Sequence, residues 1–172
     1  MTYIGITRGE NGTIGIIPEE GEPIFVSVPI RKKSYTKIGL DYKKFAELMK
    51  PYAAIELNEA QSKVVAKAVV EEPLYNKSQF RASVNQARIF EGIVAILDAL
   101  GITVQTVQPS KWHYQLFIGK FRKSSAKQAS IDYAAELFPQ FIQKHQHDRF
   151  GICLADWLAR GIQYEWHSKQ YY

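Results

Sequence analysis

Acidic residues at two positions of the sequence could bind a metal ion. Glu71 follows the β-branched, apolar run at 64–70, which predicts a buried strand that delivers its acids at the carboxyl edge of a sheet. Asp156 stands among the apolar residues of 154–159, in a stretch that predicts a helix. Burying an unpaired charge is costly, so a buried carboxylate needs a metal, a cation or hydrogen-bond donors.

The chemistry that such carboxylates support is metal-dependent hydrolysis of a phosphodiester. Two Mg²⁺ ions about 4 Å apart can clamp the attacking and leaving oxygens, and Mg²⁺ prefers oxygen ligands. Simpler roles are also open: Glu71 could mark a strand that leaves the core, and Asp156 could pair with Arg160 or Arg149. Asp148 could begin the last helix as its N-cap.

Positive charge is concentrated in one part of the chain. The formal net charge is +5, and no Asp or Glu occurs between Asp98 and Asp132. That interval holds five basic residues, which are Lys111, Lys120, Arg122, Lys123 and Lys127. Such a segment can follow a nucleic-acid backbone by neutralising phosphates and releasing counterions. The alternative is a solvated loop whose charge is balanced by acids that lie nearby in space.

The elements that would position these residues form an α/β protein. The pattern predicts strands at 3–6, 13–17, 24–30, 64–70 and 102–107, and helices at 41–49, 56–62, 79–100, 111–118, 125–138 and 151–164. A basic, polar connection is predicted at 31–39. Because strands alternate with helices only after the first three, we expect three antiparallel strands and then two parallel ones. The prediction is a mixed five-stranded sheet flanked by helices, in one domain covering 1–172.

Two helices carry apolar faces that identify the side expected to face the core. The first face lies on the long helix and comprises Phe90, Ile93, Val94 and Leu97. The second lies on the helix at 125–138 and comprises Ile131, Ala134, Ala135 and Phe138. Ile89, Phe90 and Phe80 are expected partly off the core face, where they could contact a second copy of the chain.

Composition indicates a soluble protein inside the cell. Cys153 is the one cysteine, which excludes an internal disulfide, and we expect it to be a small buried apolar residue. His145 and His147 lack partners at zinc-ligand spacing, so we expect them at the surface. No apolar run reaches the roughly 20 residues of a membrane span, and the first residues do not form a secretory signal. We expect a cytoplasmic location.

Five segments, taken in order, resemble one family. They are YIGITRGENGTIGII (3–17), AVVEEP (68–73), SQFRASVNQARIFEGIVAILDALGITVQTVQPSKWHYQLFIG (78–119), SSAKQASIDYAAELFP (124–139) and HDRFGICLADWLARG (147–161). Their order and spacing resemble the Holliday-junction resolvases of the RuvC type, especially the compact phage-like branch. The resemblance implies a ribonuclease-H-like fold and a Mg²⁺- or Mn²⁺-dependent endonuclease that acts as a homodimer on branched DNA in recombination. It also implies a phage-encoded protein.

The resemblance assigns roles to individual positions. Glu71 matches the strand-end Glu of the family, and Asp156 matches its Ala-Asp motif. Asp148 matches the Asp of the closing His-Asp motif, with a longer spacer before Asp156. Lys127 matches a helix Lys near the scissile phosphate. The implied metal ligands are therefore Glu71, Asp156 and Asp148, and the implied catalytic residues are Glu71, Asp156 and Lys127.

Two positions depart from the family. Its first metal-binding Asp is Thr7 here, and the Pro that usually follows is Arg8. Thr7 supplies a neutral hydroxyl where a charge should bridge two metals, and Arg8 adds a positive charge beside it. Two functions are therefore open. The chain could be an active Mg²⁺-dependent junction endonuclease, or an inactive or very weak homologue that binds branched or duplex DNA or a protein partner.

A third interpretation is an ATPase. Actin-like and sugar-kinase-like proteins also begin with a strand, a glycine-containing hairpin and a Thr. A chain of 172 residues cannot supply the two lobes that clamp ATP in those proteins.

Overall fold

The structure is a computed structural model that describes residues 1–34, 37–58, 61–63, 65–117, 125–141 and 149–161. The strands are β1 (Thr2–Ile6), β2 (Thr13–Ile17), β3 (Ile24–Ser27), β4 (Ile30–Ser34), β5 (Lys37–Leu40), β6 (Ile55–Asn58), β7 (Gln61–Lys63), β8 (Ala66–Glu71) and β9 (Thr103–Val107). The helices are α1 (Tyr42–Met49), α2 (Phe80–Ala99), α3 (Pro109–Phe117), α4 (Ala126–Leu137) and α5 (Phe150–Ala159). Among the described residues, no helix has the length and hydropathy needed to cross a membrane.

The central element is a five-stranded sheet with the order β3-β2-β1-β8-β9. Strands β1, β2 and β3 are antiparallel neighbours, whereas β8 runs parallel to both β1 and β9. The mixed sheet predicted from the sequence is confirmed. Ile6 lies opposite Val70, so the carboxyl ends of β1 and β8 reach the same edge of the sheet together.

The two faces of the sheet bury separate cores. Ile4, Ile6 and Val70 belong to a cluster shared with α1 and α2, while Val69 points to a second cluster shared with α3, α4 and α5. This division follows from the alternation of side chains along a strand. Asp41 begins α1 as predicted, because its carboxylate accepts a hydrogen bond from the Lys44 backbone N–H at 3.3 Å.

Glycines allow α5 to lie directly on the sheet. A Cβ atom on Gly5 would overlap the backbone of Ala155, and one on Gly15 would overlap the backbone of Ile152. Both glycines lie on the sheet face opposite Ile4, Ile6, Ile14 and Ile16. The close approach fixes α5, and with it Asp156, over the middle of β1 and β2.

Several predicted elements were wrong. The connection at 31–39 falls within a hairpin of β4 and β5, and the predicted strand at 24–30 ends at Ser27. Because this segment is basic and polar, its sequence does not indicate the strand pair in which Ile30 lies opposite Leu40, a buried core residue. The predicted helix at 56–62 is a hairpin of β6 and β7, in which strand pairing outweighs the helix propensity of the segment. The last helix ends at Ala159, and the predicted part at 162–164 lies outside the described residues.

The predicted helix faces are rotated from the observed ones. On α2, Ile93 and Leu97 are buried as predicted. Phe90 and Val94 are only partly buried against the core, whereas Ile89 is fully buried within it. Ile89 is therefore unavailable to a second copy, whereas Phe80 is 61% exposed. On α4, the buried residues are Ala129, Ser130, Tyr133 and Ala134, while Ile131, Ala135 and Phe138 are half-buried. Tyr133 belongs to the buried face because its hydroxyl has a partner on α5.

Candidate functional site

The carboxyl edge of β1 and β8 brings together Thr7, Arg8 and Glu71. Thr7 follows Ile6, and Glu71 follows Val70, so the two residues stand side by side in the parallel pair. Arg8 donates its backbone N–H toward Oε2 of Glu71 at 3.4 Å. The sequence prediction that Glu71 reaches the sheet edge next to position 7 is consistent with this register.

The hydroxyl of Thr7 holds the β1–β2 hairpin together. Thr7 is 4% exposed, and its Oγ1 accepts a hydrogen bond from the Thr13 backbone N–H at 2.8 Å. It also lies 3.2 Å from the hydroxyl of Thr13, which in turn accepts the Gly151 backbone N–H at 3.0 Å. Thr7 and Thr13 thus connect the hairpin to the first turn of α5.

Both carboxylate oxygens of Glu71 are in contact with donors from the protein. The residue is 5% exposed, and Oε1 accepts a hydrogen bond from the indole N–H of Trp112 at 3.1 Å. Oε2 lies 3.6 Å from Nη1 of Arg8, in addition to its contact with the Arg8 backbone. A buried charge needs such compensation, and here an arginine and an indole provide it.

Arg8 lies over the edge of the sheet, where it contacts the side chain of Glu71 and the backbone of Glu72. Its Nη1 donates to the Glu72 carbonyl at 3.3 Å, so the guanidinium contacts both Glu71 and the backbone that follows it. The Glu72 side chain turns away and accepts a hydrogen bond from Thr106 at 3.0 Å. The Arg8 side chain keeps 23% of its surface exposed.

His113 lies beside the same carboxylate in its neutral form. Its Nε2 is 4.0 Å from Oε1 of Glu71, and its ring stacks on Phe150 with centroids 4.9 Å apart. Burial, followed by the charge of Arg8, lowers the pKa of His113 to about 4. The imidazole is therefore uncharged at pH 7, and the 4.0 Å separation is not an ion pair.

Two donors, Tyr133 and Arg160, compensate the buried charge of Asp156. It is 8% exposed, and its Oδ2 accepts the Tyr133 hydroxyl at 2.6 Å and Nε of Arg160 at 2.8 Å. Burial first, and then the hydrogen bond to Asp156, raise the pKa of Tyr133. Arg149, the other partner considered for Asp156, donates to the Phe141 carbonyl instead.

Replacing Tyr133 with Phe is expected to lower the free energy of unfolding by about 1–2 kcal/mol, because a buried carboxylate loses a donor. Urea denaturation of both proteins at pH 7 measures the difference. Tyr114→Phe serves as the control, since Tyr114 is 67% exposed and its loss should cost little. Equal losses in the two variants would contradict the assignment.

The predicted basic residues are only partly within the described residues. Lys111 on α3 and Lys127 in the first turn of α4 are both exposed. Lys120, Arg122, Lys123 and Asp148 lie outside the described residues, as do His145 and His147. Cys153 is fully buried, in agreement with its predicted structural role.

Comparison with known proteins identifies the fold. No protein-family model and no curated protein matches the sequence. Two solved structures of Thermus thermophilus RuvC do match. One has a TM-score of 0.59 at 15% identity, and the other, a complex with a Holliday junction substrate, has a TM-score of 0.60 at 12% identity. Each alignment covers 94% of this chain and 96% of the other. The chain has a RuvC-like fold. This is the ribonuclease-H-like architecture that the sequence resemblance implied.

Among the described residues, the carboxylates are not arranged as a divalent metal ion would require. Within the described ranges, no three His, Cys, Asp or Glu side chains lie where they could share an ion. The oxygens of Glu71 contact Trp112 and Arg8, and Asp156 is bound by Tyr133 and Arg160. A divalent cation binding at either carboxylate would have to break the contact of that carboxylate with an arginine, and the lost interaction opposes binding.

Sequence reasoning missed two side chains of this site. Trp112 lies in the segment 78–119 that contributes to the resemblance, but the sequence does not indicate its hydrogen bond with Glu71. Tyr133 lies on the buried face of α4, which is rotated by about one position from the apolar face that the sequence predicts for this helix. A polar tip on an otherwise apolar helix face was the available signal that Tyr133 has a buried partner.

Proposed function

We propose that this protein binds branched DNA of the Holliday-junction type and does not cut it. The observation that carries the proposal is the guanidinium of Arg8, which lies against the Glu71 carboxylate beside Thr7. In this account, a side-chain cation occupies the position where the resemblance expects a metal ion. Thr7 is then a degraded metal position, and Glu71 and Asp156 are former ligands.

The loss of hydrolysis follows from what an arginine can do. A bound metal lowers the pKa of a water molecule so that hydroxide forms near neutral pH. A guanidinium remains protonated and donates hydrogen bonds, but it cannot generate that nucleophile. The centre can still attract a phosphate, because the arginine supplies positive charge there.

DNA binding is supported by charge and by the fold. The net charge is +5, and Lys111 and Lys127 are exposed on two helices that pack on the same sheet face as α5. One of the matching RuvC structures is a complex with a Holliday junction substrate. Basic side chains on one face neutralise phosphates without reading sequence.

Finer assignments belong to the same proposal. The five motifs support the compact phage-like branch of the RuvC type, and a location inside the cell is proposed with it. Two-fold related strands of a junction favour a homodimer, for which the exposed Phe80 on α2 offers a contact. Lys127 and the basic residues of the 111–127 segment would follow the DNA backbone, and Asp148 is proposed as a former acid of the site.

The test is binding to a labelled four-way junction and to a linear duplex of the same sequence, measured by fluorescence anisotropy in EDTA. We expect tighter binding to the junction and a logarithmic affinity that falls linearly with the logarithm of salt concentration. Lys111→Ala with Lys127→Ala should reduce that slope by roughly 2. The matched control is Lys43→Ala with Lys44→Ala, since both lysines are exposed on α1, which packs against the other sheet face. Absence of junction preference, or binding that is insensitive to salt, would refute the proposal.

A further inference from the structure

We propose that Arg8 is the phosphate-binding group of this site and holds a backbone phosphate of the bound DNA at the carboxyl edge of β1 and β8. This inference rests on the proposed function and specifies which side chain replaces the metal in contact with DNA. The ligand is a phosphodiester oxygen pair.

The guanidinium of Arg8 has donors to spare. One nitrogen, Nη1, contacts both the Glu72 carbonyl and the Glu71 carboxylate, at 3.3 and 3.6 Å. Among the described residues, these are the hydrogen bond and the ion pair that the Arg8 side chain makes. Neither contact is short, and the side chain is 23% exposed, so Nε and Nη2 can meet a ligand from solvent. Two adjacent N–H donors match the spacing of two phosphate oxygens.

The charge balance at the site favours a phosphate only while Arg8 is present. Without Arg8, the Glu71 carboxylate and the neighbouring Glu72 would repel a DNA strand at this edge. Arg8 lies against Glu71 and the Glu72 backbone, so its charge offsets part of the negative charge that these two glutamates bring to this edge of the sheet. Removing Arg8 would expose the Glu71 charge to the strand as well as deleting the donors.

Arg160 is less suited to the same task. Its Nε is bonded to Asp156 at 2.8 Å, and this short ion pair holds its guanidinium against that carboxylate. Arg8, with its longer contacts, can rotate toward a phosphate without breaking a short ion pair. The geometry therefore points to Arg8 rather than Arg160 as the group that contacts DNA.

The experiment compares junction binding by wild type and Arg8→Ala, in EDTA and in Ca²⁺, an ion that binds carboxylates. In EDTA, Arg8→Ala should bind at least about tenfold more weakly, because charge-assisted hydrogen bonds are lost and a carboxylate is uncovered. Ca²⁺ should restore much of that affinity by pairing with Glu71, and should change wild-type binding much less. Lys44→Ala removes the same charge from an exposed position on α1 and should alter affinity less than about twofold.

A second variant covers the case in which Arg8→Ala does not fold. Arg8→Ala with Glu71→Gln removes both members of the pair, should bind more weakly than wild type in EDTA, and should gain nothing specific from Ca²⁺. If wild type binds the junction and either folded Arg8 variant binds equally well in EDTA, this inference is overturned while the proposed function stands. If wild type fails to bind at all, the proposed function fails with it.

Discussion

Replacing Thr7 with Asp and Arg8 with Pro in the same chain is expected to produce Mg²⁺-dependent cleavage of a four-way junction, at least about a hundredfold above wild type. The change restores a carboxylate next to Glu71 and removes the guanidinium that now occupies the site. The new carboxylate can still accept the Thr13 backbone N–H that Thr7 accepts at 2.8 Å, so the hairpin should survive. Gel separation of end-labelled junction products over time measures the rate.

The matched control for that gain is Thr7→Asn with Arg8→Pro. Asn has nearly the shape of Asp and keeps an acceptor for Thr13, but it lacks the charge that binds metal. It should show no cleavage above wild type. A folded, DNA-binding Asp variant that fails to cut, or an Asn variant that cuts equally well, would show that charge at position 7 does not decide activity.

The second large effect is a loss of stability in mild acid through His113. Its pKa is lowered to about 4 in the folded chain, first by burial and then by Arg8, against an ordinary value of about 6.5. The unfolded chain therefore takes up this proton more readily. The stabilisation is complete above pH 6.5 and is lost as the pH falls from there toward 4. Between pH 7 and pH 4.5 the His113 contribution should fall by about 2–3 kcal/mol.

The measurement is urea denaturation of wild type and His113→Phe at pH 7 and pH 4.5. Phe keeps a ring against Phe150, where the imidazole stacks at 4.9 Å, but it has no proton to bind. The variant should therefore lose less stability on acidification than wild type by that same amount. An equal loss in both proteins would show that other groups, chiefly carboxylates, carry the whole acid dependence.

The sheet and the position of Glu71 could be predicted because they depend on local patterns. The β-branched run before Glu71 predicts a buried strand, and the long apolar helix after it predicts a crossover to a parallel strand, which is the β8–β9 pair. The two added hairpins could not be predicted in the same way. Residues 31–39 and 56–62 are rich in charged and polar side chains and show no alternating apolar pattern, so the strand pairing within each hairpin has no local signal in the sequence.

The contacts that compensate the charges of Glu71 and Asp156 could be predicted only in part from the sequence. A salt bridge between Asp156 and Arg160 follows from their spacing of four residues on a helix, and it is present. The contacts of Trp112 with Glu71 and of Tyr133 with Asp156 join residues 41 and 23 positions apart. Such contacts depend on how α3, α4 and α5 pack on the sheet, which no local pattern specifies. The sequence did show that Thr7 and Arg8 change the charge at the strand end, and the structure adds where the guanidinium goes.

The most direct measurement is a cleavage assay of the wild-type protein on a synthetic four-way junction with Mg²⁺ or Mn²⁺, beside Glu71→Gln. Protein concentrations should saturate the junction, so that failure to cut cannot reflect failure to bind. We expect the wild-type protein to remain bound to the junction, with nicking equal to that of Glu71→Gln and of a protein-free sample. Robust wild-type cutting that Glu71→Gln abolishes would contradict it, because Glu71 would then be holding a metal ion instead of Arg8.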